Sequence, residues 1–388
     1  MDSTMSTHRL CTCLLFSGLA ALCGCARGPF TDTMRLSENE SQAIDALVEP
    51  ILPSYHYLNV AVVRDHQIVL NRSYLQNRLQ EAEDYASVSK PVTAMLIFQF
   101  MEQGLIEDLD DPFLRYTPDL DRIVPEEFTH RPITLRHLLS HQSGIRHLGD
   151  TWQEGELNLA FEPGTAYSYS TDAFGILGLV LEALSGQAYG DLVYTRIGKP
   201  VGAHSFGALH HFLAPGGNVH STTEDMARFA AGVMTNAYIT EATFARILAE
   251  GGITNRHGLV NLGWFYRNLG TPDFALFHTG SNGRPRAFLR LLPEPGMAIA
   301  ITGLTKSARA PFDLETLGRA ILDLLRPPSS ERLPETDIEL ETRIDLLPGV
   351  QGKRKIGAKR TERCMITNTK TRAPEELVVQ LRGIPLVS

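Results

Sequence analysis

Ser87 and Lys90 stand three residues apart in "YASVSKPVTAM" (Tyr85–Met95). A serine hydroxyl becomes a good nucleophile when a neighbouring base takes its proton, and a lysine serves as that base only when held neutral. Residues three apart on a helix share a face. Pro91 lacks an amide hydrogen and is comfortable only near a helix start. The spacing therefore puts Ser87 at a helix N-terminus, in the positive field of the backbone amides. That field and a dry pocket would lower the lysine toward a neutral amine. The bland alternative is a capping serine followed by a surface lysine. Average composition supplies about one or two Ser-x-x-Lys matches by chance in a chain of this length. Two later stretches bear on the choice. "FEPGTAYSYSTDAFGILGLVLEALSG" (Phe161–Gly186) places Tyr169 in a turn just before a helix, and "FHTGSNG" (Phe277–Gly283) places His278, Thr279 and Gly280 at a strand end.

These residues need a scaffold, and 388 residues suffice for one large domain or two modest ones. A net charge of -8 does not favour a nucleic-acid partner. A helix is expected over Glu38–Ile51. "LNVAVVRDHQIVLNRSYL" (Leu58–Leu75) alternates on both sides of Asp65-His66 and reads as a β-hairpin. An apolar helix follows over Val88–Gly104, and helical patterns recur at Thr134–Ser140, Asp172–Ser185, Thr222–Met234 and Ala242–Glu250. "STTE" at Ser221–Glu224 fits a capping box. The pattern then switches to strands: "LVNLGWFYRNLG", "DFALFHTG", "RAFLRLLPEPG" and "MAIAITGL", with a turn at Pro293–Gly296. A last amphipathic helix covers Phe312–Leu325. Strands at both ends with helices between them predict an α+β fold, with one sheet built from both ends and a helical lobe inserted in the middle.

The chain divides on this reading into 1–25, a signal peptide; 26–50, a linker and helix; 51–326, the chemistry-bearing domain; and 327–388, a charged tail. In that tail Glu331–Asp345 is rich in acid and Lys353–Arg372 in base. A solvated tail is the expectation; paired charge blocks or contact with anionic lipid are the alternatives. At the other end, Cys11–Ala21 is apolar and "ALCGC" closes at Cys25, the pattern of a short export signal. Leu22, Gly24 and Cys25 resemble a bacterial lipobox, in which Cys25 would carry lipid on its thiol; Cys23 departs from the usual middle residue. An ordinary cleaved signal or a short anchor is the alternative. Four of the five cysteines lie in the first 25 residues, so an acylated Cys25 would leave no intrachain disulfide.

Ser87-x-x-Lys90, then a Tyr169-centred turn, then His278-Thr279-Gly280, in this order, resembles the serine β-lactamase and penicillin-binding-protein superfamily. The tyrosine form is similar to its class C and DD-peptidase branch, with their esterase relatives. Connecting segments agree over roughly Tyr55–Leu325: "GLIEDLDDPFLRYTPDL" (Gly104–Leu120), "ITLRHLLSHQSGI" (Ile133–Ile145), "STTEDMARF" (Ser221–Phe229) and "LLPEPGMAIAITG" (Leu291–Gly303). Ser87-Val88-Ser89-Lys90, "SGIRH" (Ser143–His147), Tyr169-Ser170-Thr171 and His278-Thr279-Gly280 are closer still to the mitochondrial serine β-lactamase-like proteins and their bacterial relatives. That subgroup is associated with peptidase activity rather than antibiotic resistance.

The resemblance implies the β-lactamase/transpeptidase-like fold, an antiparallel sheet with flanking helices, and a site in the cleft beside the helical lobe. Ser87 would be the nucleophile and Lys90 its activator. Tyr169 would be the acylation base and would protonate the leaving group. The oxyanion hole would be the backbone N–H groups of Ser87 and Ser281. Thr171, His278, Thr279 and Gly280 would bind substrate: a small peptide, an ester or a fragment of cell wall. No metal or organic cofactor is implied. A lipid anchor at Cys25 would place the protein at the cell envelope. A catalytically idle binding or sensor protein, or a true β-lactamase, is the alternative. Two departures bear on substrate. Thr171 stands where class C enzymes carry an Asn that holds the substrate's amide side chain. His278 replaces the Lys of true β-lactamases, and a neutral imidazole binds a carboxylate more weakly than an ammonium does. Both push toward an esterase or peptidase, and His278 has the alternative of a structural hydrogen-bonding role. His137 and His141, four apart on a helix, have metal-ligand spacing but lack the adjacent glutamate of His-Glu-x-x-His.

Overall fold

The computed structural model describes residues 36–326, apart from 129, 149, 150, 154, 250–252, 256 and 257, together with the short strands 366–367 and 374–375. Residues 1–25 with Cys25, the linker to residue 35 and the rest of the 327–388 tail lie outside the described residues.

The first element is helix α1 (Glu38–Val48). Ser37 caps it: its hydroxyl accepts from the Glu40 N–H, and the Glu40 carboxylate accepts from the Ser37 N–H. The helix stops short of Ile51 because Pro50 and Pro53 tighten the chain into a 3-10 turn over Glu49–Ser54. Strands β1 (Tyr55–Arg64) and β2 (Gln67–Tyr74) form the expected hairpin. Asp65 and His66 both take left-handed backbone angles at its turn, as a two-residue connection between twisted strands requires.

After the central helices α2 (Ser89–Glu102), α3 (Leu135–Leu139), α4 (Thr171–Ser185), α5 (Thr223–Met234) and α6 (Glu241–Ala249), the chain returns to strands. These are β3 (Ile253–Asn255), β4 (Gly258–Asn261), β5 (Trp264–Arg267), β6 (Ala275–Ser281), β7 (Pro285–Leu292) and β8 (Met297–Thr305). They join the hairpin in one fully antiparallel sheet of order β2-β1-β8-β7-β6-β5-β4-β3. Helix α7 (Leu314–Leu325) closes the domain.

Two expectations need correction. "LVNLGWFYRNLG" is two strands, β4 and β5, folded back at Leu262-Gly263, where both residues have positive φ. A Cβ on Gly263 would lie 2.8 Å from Ala94 Cβ, so only glycine lets this turn pack on α2. The cap of α5 is Thr222, whose hydroxyl accepts from the Asp225 N–H at 3.2 Å; Ser221 ends a short strand, Val219–Ser221, one residue earlier.

Side-chain alternation sorts the sheet's two faces. Leu58, Val60, Val62, Ile299 and Ile301 meet α1 and α7 on one side. Ala61, Val63, Ala298 and Ala300 face the helical lobe on the other. Helix α2 is apolar all round and buried from Ser89 to Phe100, the expected state of a helix at the centre of a lobe. Each fully buried Leu, Ile or Phe contributes about 1.5–3 kcal/mol relative to exposure. The reacting groups therefore stand on a rigid support.

Candidate active site

A short strand, Glu83–Asp84, leads into a 3-10 turn, Ala86–Val88, and α2 begins directly after it. Ser87 is half-buried in this turn, two residues before α2 begins. Ala86 is held at a φ of 45°, a region that costs an L-residue roughly 1–2 kcal/mol. The Asp84 carboxylate holds it there by accepting the Ala86 N–H at 2.7 Å. Ser89 donates to Ala86 O at 2.6 Å and accepts from the Val219 N–H at 2.9 Å, so its hydroxyl is a buried strut.

Lys90 is completely buried, and its Nζ reaches three oxygens: Gly216 O at 2.6 Å, Thr171 Oγ1 at 3.1 Å and Ser87 Oγ at 3.4 Å. Burial pulls the amine well below its ordinary value, and the Asp172 carboxylate opposes this only in part. A neutral amine can donate to Gly216 O and Thr171 Oγ1 and turn its lone pair to the Ser87 hydroxyl. Lys90 Nζ also lies 4.6 Å from the centre of the Tyr169 ring.

The Ser87 hydroxyl lies near enough to Tyr169 to lower its pKa. Tyr169 sits in the turn before α4, whose N-cap is Ser170. His141 packs on the Tyr169 ring at 4.4 Å, with His147 edge-on at 5.6 Å. Burial raises the phenol's pKa above its ordinary value, and the nearby Ser87 hydroxyl offsets this only in part. Tyr169 is therefore a neutral phenol at neutral pH. The resemblance gives it both acylation base and leaving-group acid, and a neutral phenol suits the second of these more directly.

Strand β6 forms the opposite wall. It pairs with β5 only over Ala275–Phe277, so His278–Ser281 are paired on the β7 side alone. The Asn282 N–H points to Pro285 O on the β7 side, and successive residues alternate. The Ser281 N–H and C=O therefore face the open edge. Gly280 lets this edge approach the turn that carries Ser87: a Cβ there would lie 2.3 Å from Tyr85 O. The structure thus brings Ser87, Lys90, Tyr169, Thr171 and the β6 edge together at one site.

Two substrate-binding expectations are placed differently. Thr171 is buried, with its hydroxyl on Lys90 rather than in the open cleft. His278 is 2% exposed, with Nδ1 2.7 Å from Thr279 O and its ring packed on Phe265, the setting of a structural strut. Thr279 is half-buried. His137 and His141 are occupied by the fold: His137 Nδ1 accepts from the Thr134 N–H and His141 Nδ1 from the Ser170 N–H. Among the described residues no group of three or more His, Cys, Asp or Glu is arranged to hold a metal. Sequence reading assigned no role to Asp84, Asn282 or His147. The Gly216-Gly217 pair supplies the carbonyl that grips Lys90.

Residues 44–326 match the Beta-lactamase family. Among curated relatives, the chain is 24% identical over 259 residues to penicillin-binding protein 4* of Bacillus subtilis, covering 51% of this chain and 55% of that one. It is 24% identical over 364 residues to the D-alanyl-D-alanine-carboxypeptidase/endopeptidase AmpH of Escherichia coli, covering 77% of this chain and 92% of that one. The chain thus spans only about half the length of the Bacillus protein. Among solved structures, a class C β-lactamase superposes with a TM-score of 0.63 at 15% identity, covering 76% of this chain and 100% of that one, which shows the fold. With its antiparallel sheet, inserted helical lobe and β-lactamase/transpeptidase-like architecture, the chain belongs to the Beta-lactamase family of the serine β-lactamase and penicillin-binding-protein superfamily.

Proposed function

We propose that this protein is a serine hydrolase of the β-lactamase-related family that acts on an amide or ester through an acyl-enzyme on Ser87. The observation that carries the reading is Lys90: a fully buried amine, shifted toward neutrality, with its Nζ on the Ser87 hydroxyl. Lys90 takes the Ser87 proton as Oγ bonds to the substrate carbonyl carbon. The carbonyl π electrons move to oxygen, between the N–H groups of Ser87 and Ser281. Each such donor is worth about 3–4 kcal/mol in the transition state. When the tetrahedral centre collapses, the leaving amine or alkoxide takes the Tyr169 proton, and the Lys90 ammonium restores it. Water then attacks the acyl carbon, gives its proton to the same network, and Ser87 leaves with a proton.

The open edge of β6 offers backbone groups that would pair with an extended substrate. Thr171, engaged by Lys90, offers substrate no carboxamide at the position where class C enzymes carry an Asn. This favours a peptidase, a D-Ala-D-Ala carboxypeptidase-like enzyme or an esterase over a β-lactamase. Relatives named D-aminopeptidase and Esterase EstB span the same range of substrates. Export, with a lipid anchor at Cys25 holding the domain at the cell envelope, belongs to the same proposal. Among the described residues no single helix is long and apolar enough to cross a membrane.

The test is parallel turnover of a D-Ala-D-Ala peptide, short acyl esters and a chromogenic cephalosporin, with Ser87→Ala as control. The expected result is Ser87-dependent turnover of the peptide or an ester. A cephalosporin that is the best substrate would overturn the assignment of substrate class.

A further inference from the structure

Asn282 lies just past the end of β6, and its side-chain amide donates twice: to Asp84 Oδ2 at 2.7 Å and to Gly217 O at 3.0 Å. The other oxygen of Asp84 takes the Ala86 N–H at 2.7 Å and holds Ala86 at its positive φ, one residue before the nucleophile. Gly217 follows Gly216, whose carbonyl grips Lys90 at 2.6 Å. Three separate segments of the cleft therefore meet on one carboxamide: the nucleophile turn, the lysine's acceptor loop and the strand that carries Ser281. Asn282 is exposed, and apart from it Ser281, Gly283 and Arg284 at the same strand end are exposed as well. Hydrogen bonds from Arg286 to Ser281 Oγ, from the Asn282 N–H to Pro285 O and from Arg284 to Thr305 O tie this strand end to β7 and β8, and the two Asn282 amide bonds tie it across to the nucleophile turn and the Gly217 loop.

We propose that Asp84 and Asn282 form a positioning clamp that sets the spacing of the two oxyanion-hole N–H groups. Asp84 aims the Ser87 N–H by holding Ala86 in its left-handed geometry. Asn282 ties the Ser281 N–H to the same carboxylate. Neither side chain touches substrate; both act through the backbone of their neighbours. A displacement of about 1 Å at a reacting centre costs on the order of a hundredfold in rate. The loss falls on the transition state, because the donors are aimed at an oxyanion that does not exist in bound substrate.

The proposal rests on Ser87 being the nucleophile, and the experiment separates the two. The full chain, Ser87→Ala, Asn282→Ala, Asp84→Asn, the double variant Asp84→Asn/Asn282→Ala and the swap Asp84→Asn/Asn282→Asp are compared. Readouts are labelling rate with a fluorophosphonate probe, kcat and KM on a short acyl ester, and Tm. Asn282→Ala is expected to lower labelling rate and kcat about ten- to a hundredfold, with KM within about threefold and Tm close to wild type. The double variant is expected to lose little more than the worse single one, since residues in one network are not additive. The swap keeps a carboxylate–carboxamide pair in place and is expected to recover part of the Asn282→Ala loss. Wild-type labelling that depends on Ser87, combined with an unchanged rate in Asn282→Ala or fully additive losses, would overturn the clamp alone. Wild-type labelling that survives Ser87→Ala would overturn the nucleophile and the clamp together.

Discussion

Lys90 Nζ stands 3.1 Å from the hydroxyl of Thr171, so the threonine belongs to the lysine's cage and not to the open cleft. The cage is completed by Gly216 O and Ser87 Oγ. It binds an amine that is denied water, and this carries consequences for rate, stability and substrate choice.

Thr171→Val keeps the shape and removes an acceptor from the ammonium form. The charged form of Lys90 is then less favoured, and its pKa falls further. The acid limb of the kcat/KM profile, which reports the free enzyme's essential base, should move to lower pH. A pH series on one ester for wild type and variant checks this; a limb that moves to higher pH would contradict the cage.

Lys90 also sets a pH dependence of stability. Its folded pKa lies well below the ordinary value of 10.5, so between those two values the unfolded chain holds a proton that the folded chain does not. Stability therefore falls as pH falls through that window, by up to about 1.4 kcal/mol per pH unit. Lys90→Met removes the titration. Denaturant unfolding from pH 10 down to neutral should show the variant gaining on wild type as pH falls. Parallel curves would mean that Lys90 remains charged in the fold.

Gly280→Ala tests the approach of β6 to the nucleophile turn. Its Cβ would meet the Tyr85 backbone oxygen at 2.3 Å, and backbone has no flexible end to move aside. The strand must back away and carry the Ser281 N–H with it. A loss of about a hundredfold or more in kcat is expected, together with a lower Tm. Steady-state kinetics on an ester beside thermal unfolding measures both; near-wild-type kcat would show that this edge does not serve the reaction.

His141 makes a separate prediction. It is 1% exposed, and burial holds its imidazole well below the ordinary value of 6.5. The folded state keeps it neutral, so stability falls as pH drops below about 6.5 and the unfolded chain takes up the proton. His141→Phe, which keeps a ring against Tyr169, should flatten that acid slope in denaturant titrations between pH 7 and pH 5. An unchanged slope would place the acid sensitivity elsewhere.

Much of this arrangement is legible in local sequence. Ser87 and Lys90 share a face because of their spacing, and Pro91 fixes the helix start beside them. The β1–β2 hairpin follows from alternation around Asp65-His66. What sequence does not carry is closure between distant segments. The bond from Asn282 to Asp84 joins positions 198 residues apart, and neither neighbourhood has a pattern that announces it. The resemblance makes Thr171 a substrate-binding residue, yet the first turn of α4 turns its hydroxyl onto Lys90. Burial is equally silent in the local sequence, and it raises the Tyr169 pKa while it lowers that of Lys90. Periodicity alone ran β4 and β5 together, because positive φ at Leu262-Gly263 interrupts neither the apolar pattern nor the β-branched and aromatic composition.

The central claim is that Ser87 is the acylated nucleophile. The most direct measurement is digestion and mass mapping of the full chain after treatment with a fluorophosphonate. One adduct is predicted, on the peptide carrying Ser87, absent from Ser87→Ala and strongly slowed in Lys90→Met. An adduct on another serine, or one that persists in Ser87→Ala, would contradict the account.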